Sequence, residues 1–180
     1  MLFAATVECA RGNLAAARRR LDSQSALGAS DDPQVRLGYA SSEAHVLRAE
    51  GRFDEALTAA ESVIAFKGEV GTTFLTVKLS YVEALESAFA LGDRAKVEAL
   101  LDEIESLRFG ERPPLLEAHA QRFRSKLSGD EAGYRVAAAL FREHELMLDL
   151  GCTLLEHGEA TGSETLLAEA REIFERIGAA

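Results

Sequence analysis

Residues 50–63 read EGRFDEALTAAESV. Gly51 can close one helix because, lacking a Cβ, it takes the left-handed conformation of a helix stop without strain. Asp54 and Glu55 then put negative charge in the first turn of a new helix, where the macrodipole favours it. Ala56, Ala60, Val63 and Ile64 follow at helical spacing and form a narrow apolar stripe. The small residue at 56 lets two helices approach closely. The stretch reads as a helix–turn–helix corner, and it holds no group able to do chemistry.

The outline recurs. Gly12-Asn13-Leu14-Ala15-Ala16-Ala17 and Gly92-Asp93-Arg94-Ala95-Lys96-Val97 repeat it, the latter continuing through Leu100, Leu101 and Ile104. Gly129-Asp130 opens a run to Tyr134, Ala137, Ala138 and Phe141, and Gly162-Ser163 one to Leu166, Ala170, Ile173, Phe174 and Ile177. The corner glycines, Gly12, Gly51, Gly92, Gly129 and Gly162, return at intervals in the thirties to low forties, a period that predicts stacked helical pairs. The first helices of the pairs fall between the corners. One runs from Val35 to Glu50 after Asp31-Asp32-Pro33, where acid and proline suit a helix start. The next carries Phe74, Val77, Tyr81, Leu85, Ala88 and Phe89. Its second apolar row, Leu75, Leu79 and Val82, predicts burial on two faces. Leu116, Ala120, Phe123 and Leu127 stripe a helix opened by Pro113-Pro114, and another is expected over 145–156. The pattern predicts an all-α solenoid of about five antiparallel helix pairs, in a single helical-repeat domain over residues 1–180 with its first pair truncated.

Composition agrees with helix. The chain has 180 residues, 47% of them hydrophobic, with three prolines and no tryptophan, enough for one core or a short repeat array. A formal charge of −10 repels phosphate backbones and anionic lipid, so neither nucleic acid nor membrane is an expected partner. Arg18-Arg19-Arg20 forms the one basic run, and on a helix successive residues fan around the axis into a solvated face. Cys9 and Cys152 stand far apart without metal-ligand spacing and read as buried thiols in a reducing compartment. The start, MLFAATVECARG, has no basic residue before its short apolar run and so does not read as a signal peptide, and no stretch approaches the ~18 apolar residues of a membrane span. A soluble cytoplasmic protein is expected.

The corners resemble tetratricopeptide repeats. Ala44 and Ala56 match that family's small positions and Leu47 its bulky one, whereas Val97 replaces the alanine in the third corner. A narrower resemblance spans roughly residues 33–178. GERPPLLEAHAQRF (110–123), LLEHGE (154–159) and LLAEAREIFERIGA (166–179) are similar to the C-terminal repeat region of large bacterial signalling proteins. Those proteins join an AAA-type ATPase to helical repeats, with a nucleotide-cyclase or LuxR-type DNA-binding domain as output. The resemblance implies a C-terminal part of a larger signalling or transcriptional-regulatory architecture. The sequence has no GxxxxGK[ST] phosphate loop, no cyclase domain and no separate basic helix-turn-helix, so no enzymatic or DNA-binding role passes to any residue.

Nothing in the chain spells catalysis. His45, His119, His144 and His157 do not pair at ligand spacing, and no HExxH occurs. Structural roles are expected for all four, with His157 at a helix end. Glu103/Glu105 and Glu143/Glu145, two residues apart, do not share a helix face. Gly68-Glu69-Val70-Gly71 lacks the lysine of a phosphate cradle. No catalytic, cofactor or metal residue is expected, and the leading expectation is a non-catalytic scaffold binding a protein or peptide. The tetratricopeptide resemblance implies that the first helices line a concave groove, which Ser41, His45 and Arg48 of one pair and Glu86 and Phe89 of the next would face. With a net charge of −10, a neutral or basic partner is expected. The alternative is a small-molecule effector sensor gating an ATPase, cyclase or DNA-binding output, which needs an apolar pocket with converging polar groups.

The two ends differ. Glu169, Arg171, Glu172, Glu175 and Arg176 give the last helix a polar outer face. Met1, Leu2, Phe3, Ala4, Ala5, Val7 and Cys9 make a short helix apolar around most of its circumference, with Glu8 its single charge. Such a surface predicts cover by another domain, or homo-oligomerisation through residues 1–25.

Overall fold

The structure, a computed structural model, describes residues 4–108 and 110–179. Among these, regular structure is entirely helical: α1 Ala4–Ala10, α2 Leu14–Asp22, α3 Pro33–Ala49, α4 Phe53–Ile64, a single turn α5 Lys67–Val70, α6 Leu75–Ala90, α7 Arg94–Ser106, α8 Pro114–Ser128, α9 Glu131–Glu143, α10 Met147–Thr161 and α11 Glu164–Ile177. A 3₁₀ turn, Ser25–Ala29, leads from α2 towards α3. No helix of the described residues is long and apolar enough to cross a membrane.

The corner glycines do what their chemistry suggests. Gly12, Gly51, Gly92, Gly129 and Gly162 all have φ between 68° and 78°. Helix starts are similarly local. Asp32 caps α3 by accepting from the Gln34 amide, with Pro33 in the first turn, and Asp130 caps α9 through the Ala132 amide.

The chain divides into two compact units, residues 1–100 and 101–180, with the boundary inside α7. In the first, α3 packs on α4 and both pack on α6, while α1 and α2 pack on each other and on α3. Ala5, Ala17, Leu21 and Val46 form the core at the α1–α2–α3 junction. In the second, α8 packs on α9, α9 on α10 and α10 on α11, around Ala118, Ala137, Ala138, Phe141, Leu150, Leu154, Ala170 and Ile173. Close approach here depends on glycine. A Cβ on Gly133 would stand 2.6 Å from the Gln121 carbonyl oxygen, and one on Gly151 would stand 2.6 Å from the Phe174 ring.

Several expectations need correction. The helix expected to begin at 145 begins at Met147, because Glu145 itself adopts a left-handed conformation with φ 56° and makes the corner that glycine makes elsewhere. The apolar row Leu75, Leu79 and Val82 does not form a second buried face: Leu75 is 48% exposed and the other two are half-buried. The second buried face of α6 is polar instead, Thr76, Ser80, Glu83 and Ser87. His157 lies within α10, buried and stacked on Tyr134 at a ring separation of 5.2 Å, rather than at a helix end. Cys9 and Cys152 form no disulfide, and both are half-buried rather than buried. The basic run is partly engaged: Arg18 forms a bidentate pair with Glu50, and Arg20 pairs with Glu8 at 3.0 Å. Of the expected apolar start, Met1, Leu2 and Phe3 lie outside the described residues; Ala5 is buried and Val7 is exposed.

The stripe that follows the Gly51 corner is fully internal: Ala56, Ala60 and Val63 show no exposure and Ile64 only 6%. Because α4 packs on both α3 and α6, Ala56→Leu adds volume where neither neighbour can yield, and a loss of ~1–3 kcal/mol is expected. Thermal unfolding checks this; an unchanged melting temperature would contradict the close packing at residue 56.

Candidate functional site

A helix positions residues i, i+4, i+7 and i+11 along one line. On α6 that line is Thr76, Ser80, Glu83 and Ser87, and on α3 the facing line is Ser41, His45 and Arg48. The two lines meet in a buried polar seam. Ser41 is buried, its hydroxyl donating to the Thr76 carbonyl at 3.5 Å. His45 Nδ1 donates to Glu83 Oε1 at 2.7 Å, and Arg48 Nε donates to Glu83 Oε2 at 2.6 Å. Burial alone would raise the Glu83 carboxyl, but His45 and Arg48 together outweigh it and hold the pKa at about 2. The hydroxyls of Thr76, Ser80 and Ser87 are buried without a hydrogen-bond partner among the described residues.

Three of the five residues expected to face a groove are therefore engaged within the seam. Glu86 and Phe89 lie further along α6, both half-buried. Sequence reasoning missed Glu83, the acceptor that organises the seam. A signal was present: EAHVLR (43–48) recurs as EAHAQR (117–122).

The recurrence is structural as well. In the second unit Arg122 donates to both Glu156 oxygens at 2.6 Å, and Lys126 reaches Glu156 Oε1 at 2.6 Å. His119, without exposure, lies 3.2 Å from Asp149, a close approach that lacks hydrogen-bond alignment. Thr76, Ser80 and Glu83 on α6 correspond, at one constant offset in the sequence, to Asp149, Thr153 and Glu156 on α10. In both units an Arg of the first helix grips a Glu of the next hairpin's first helix. These side chains hold helices in register and present no open nucleophile or base.

An open concavity does exist on the first unit. Between α3 and α4 a groove of about 450 Å³ is lined by Glu43, Leu47, Asp54, Glu55, Thr58, Ala59 and Ser62. Leu47, only 5% exposed, and the half-buried Ala59 give it a narrow apolar floor. The Thr58 hydroxyl donates to the Asp54 carbonyl and the Ser62 hydroxyl to the Ala59 carbonyl, so both are satisfied within α4. Glu55 is held below the usual carboxylate range by hydrogen bonding to Arg52. The carboxylates of Glu43 and Asp54 have no ion-pair partner among the described residues. No group of three or more metal-ligating side chains occurs among the described residues.

Comparisons with protein-family models, with curated proteins and with solved structures find no match.

Proposed function

We propose that this chain is a non-catalytic interaction scaffold of a bacterial signalling or transcriptional regulator, a tetratricopeptide-like array of five helix pairs that binds a neutral or basic segment of a partner protein. The observation that carries this reading is the open α3–α4 groove, with an apolar floor and a carboxylate rim. The histidines and arginines best suited to chemistry, His45, Arg48, His119 and Arg122, instead engage carboxylates across helix pairs. The regulatory setting rests on the sequence resemblance in 110–123, 154–159 and 166–179.

A scaffold with a net charge of −10 attracts basic segments at long range, and salt screens that attraction over a Debye length of ~8–10 Å. In fluorescence anisotropy against a peptide pool, basic and neutral peptides are expected to bind, with the affinity of the basic ones falling as salt rises. Tight, salt-independent binding of an acidic peptide would contradict the proposal. A thermal shift with small metabolites but with no peptide would favour the effector-sensing alternative.

A further inference from the structure

The repeated EAHxxR helix makes the second unit an internal comparison for the first. Glu43 and Leu47 on α3 correspond to Glu117 and Gln121 on α8. Counted from the corner glycines Gly51 and Gly129, Ala56, Ala60 and Val63, buried on α4, correspond to Tyr134, Ala138 and Phe141, buried on α9. On that register Asp54 and Thr58 correspond to Ala132 and Val136, and Ala59 to Ala137.

The two copies treat this surface differently. In the second unit Glu117 accepts from Gln121 at 3.0 Å and pairs with Arg112 at 3.0 Å, and Ala132 stands where the first unit has Asp54. The one carboxylate is neutralised by its own unit and the other is replaced by a methyl group. In the first unit the position of Gln121 is held by Leu47 and that of Ala132 by Asp54. Glu43 and Asp54 consequently stand without an ion pair among the described residues, on opposite helices flanking the floor of Leu47 and Ala59. The repeat therefore does not require the open, uncompensated groove; the first unit has it through particular residues.

Resting on the scaffold reading, we infer that the α3–α4 groove of the first unit is the docking site, and that its occupant is a partner-protein segment with an apolar residue flanked by lysine or arginine. The apolar side chain lies over Leu47 and Ala59, and the two cations meet Glu43 from α3 and Asp54 from α4. An acidic segment would meet like charge on both rims. Glu55, already paired with Arg52, contributes less.

The test uses the full chain and a fluorescein-labelled hexapeptide of alternating lysine and leucine, with the matched glutamate–leucine peptide as comparison. Wild type is expected to bind the lysine peptide and not the glutamate one. Reversing both rim charges, Glu43→Lys with Asp54→Lys, is expected to weaken lysine-peptide binding by about ten-fold or more, because two attractive pairs become repulsive. Glu172→Lys with Glu175→Lys makes the same change in net charge on exposed positions of α11, and is expected to weaken binding less than about two-fold through the general field alone. Equal weakening by both variants would overturn the groove assignment while leaving the scaffold reading intact. Failure of the folded wild type to bind any peptide, in this pair or in a wider pool, would overturn both. Unchanged circular dichroism and melting temperature of the rim variant certify that its loss is one of binding; if it unfolds, the milder Glu43→Gln with Asp54→Asn, set against Glu172→Gln with Glu175→Gln, provides the same comparison.

Discussion

Replacing Glu83 with glutamine is expected to lower the unfolding free energy by about 3 kcal/mol, the lower end of the cost of stripping one partner from a buried ion pair. The glutamate side chain is only 7% exposed, whereas His45 and Arg48 remain 21% and 29% exposed, so solvent softens the loss. Glutamine keeps the shape and can accept from one neighbour, but it removes the negative charge that His45 and Arg48 face. Replacing both charges, Glu83→Met with Arg48→Met, should recover much of the stability, because the pair's attraction only partly exceeds its desolvation cost. The pH dependence has a definite sign. Glu83 has its folded pKa depressed to about 2 from an ordinary 4.5. Its contribution is therefore full above pH ~4.5 and fades as pH falls towards ~2. Urea unfolding of wild type and Glu83→Gln should give curves that are well separated at pH 7 and converge in acid. A pH-independent gap would mean that the loss is one of packing rather than of charge.

Gly133→Ala should be the most damaging single-methyl change in the second unit. Alanine ordinarily favours a helix over glycine by about 1 kcal/mol. Here the added Cβ would lie 2.5 Å from the Ser125 hydroxyl and 2.6 Å from the Gln121 carbonyl oxygen. The serine can rotate away, but the carbonyl belongs to the backbone of α8, so the two helices must separate. An overpacking cost of about 3 kcal/mol against that gain leaves a net loss of about 2 kcal/mol. For a chain of this size that lowers the melting temperature by about 4–8 °C. A melting temperature equal to or above wild type would contradict the close α8–α9 packing.

The helices were legible in the sequence because each relies on local chemistry. A glycine at positive φ ends the helix before each of the five corners, and Ala56, Ala60, Val63 and Ile64 are buried as their spacing suggests. The corner before α10 escaped notice because Glu145 occupies a conformation that composition assigns to glycine. The polar seam escaped for a different reason. Apolar periodicity selects Leu75, Leu79 and Val82 as a buried row, yet Leu75 is exposed and the other two only half-buried, while Thr76, Ser80, Glu83 and Ser87 are buried on the side of α3. Burying a carboxylate makes sense only once its partners are known, and they lie on another helix, far off in the sequence. Ser41, His45 and Arg48 were grouped on one helix face from sequence, but their engagement with α6 depends on Glu83, which hydrophobic patterning cannot select. The groove was not legible either, since Glu43 is distinguished from its counterpart Glu117 only by lacking the pairings that Glu117 makes, and Asp54 reads in sequence as an ordinary first-turn acid.

Backbone amide mapping by two-dimensional NMR, titrating the lysine–leucine peptide into the full chain, tests the central claim most directly. The account predicts saturable shifts concentrated at residues 43–47 and 54–62 and much smaller changes at the corresponding surface, 117–121 and 132–140. Shifts of equal size at both surfaces, or spread over the acidic exterior without saturation, would contradict it.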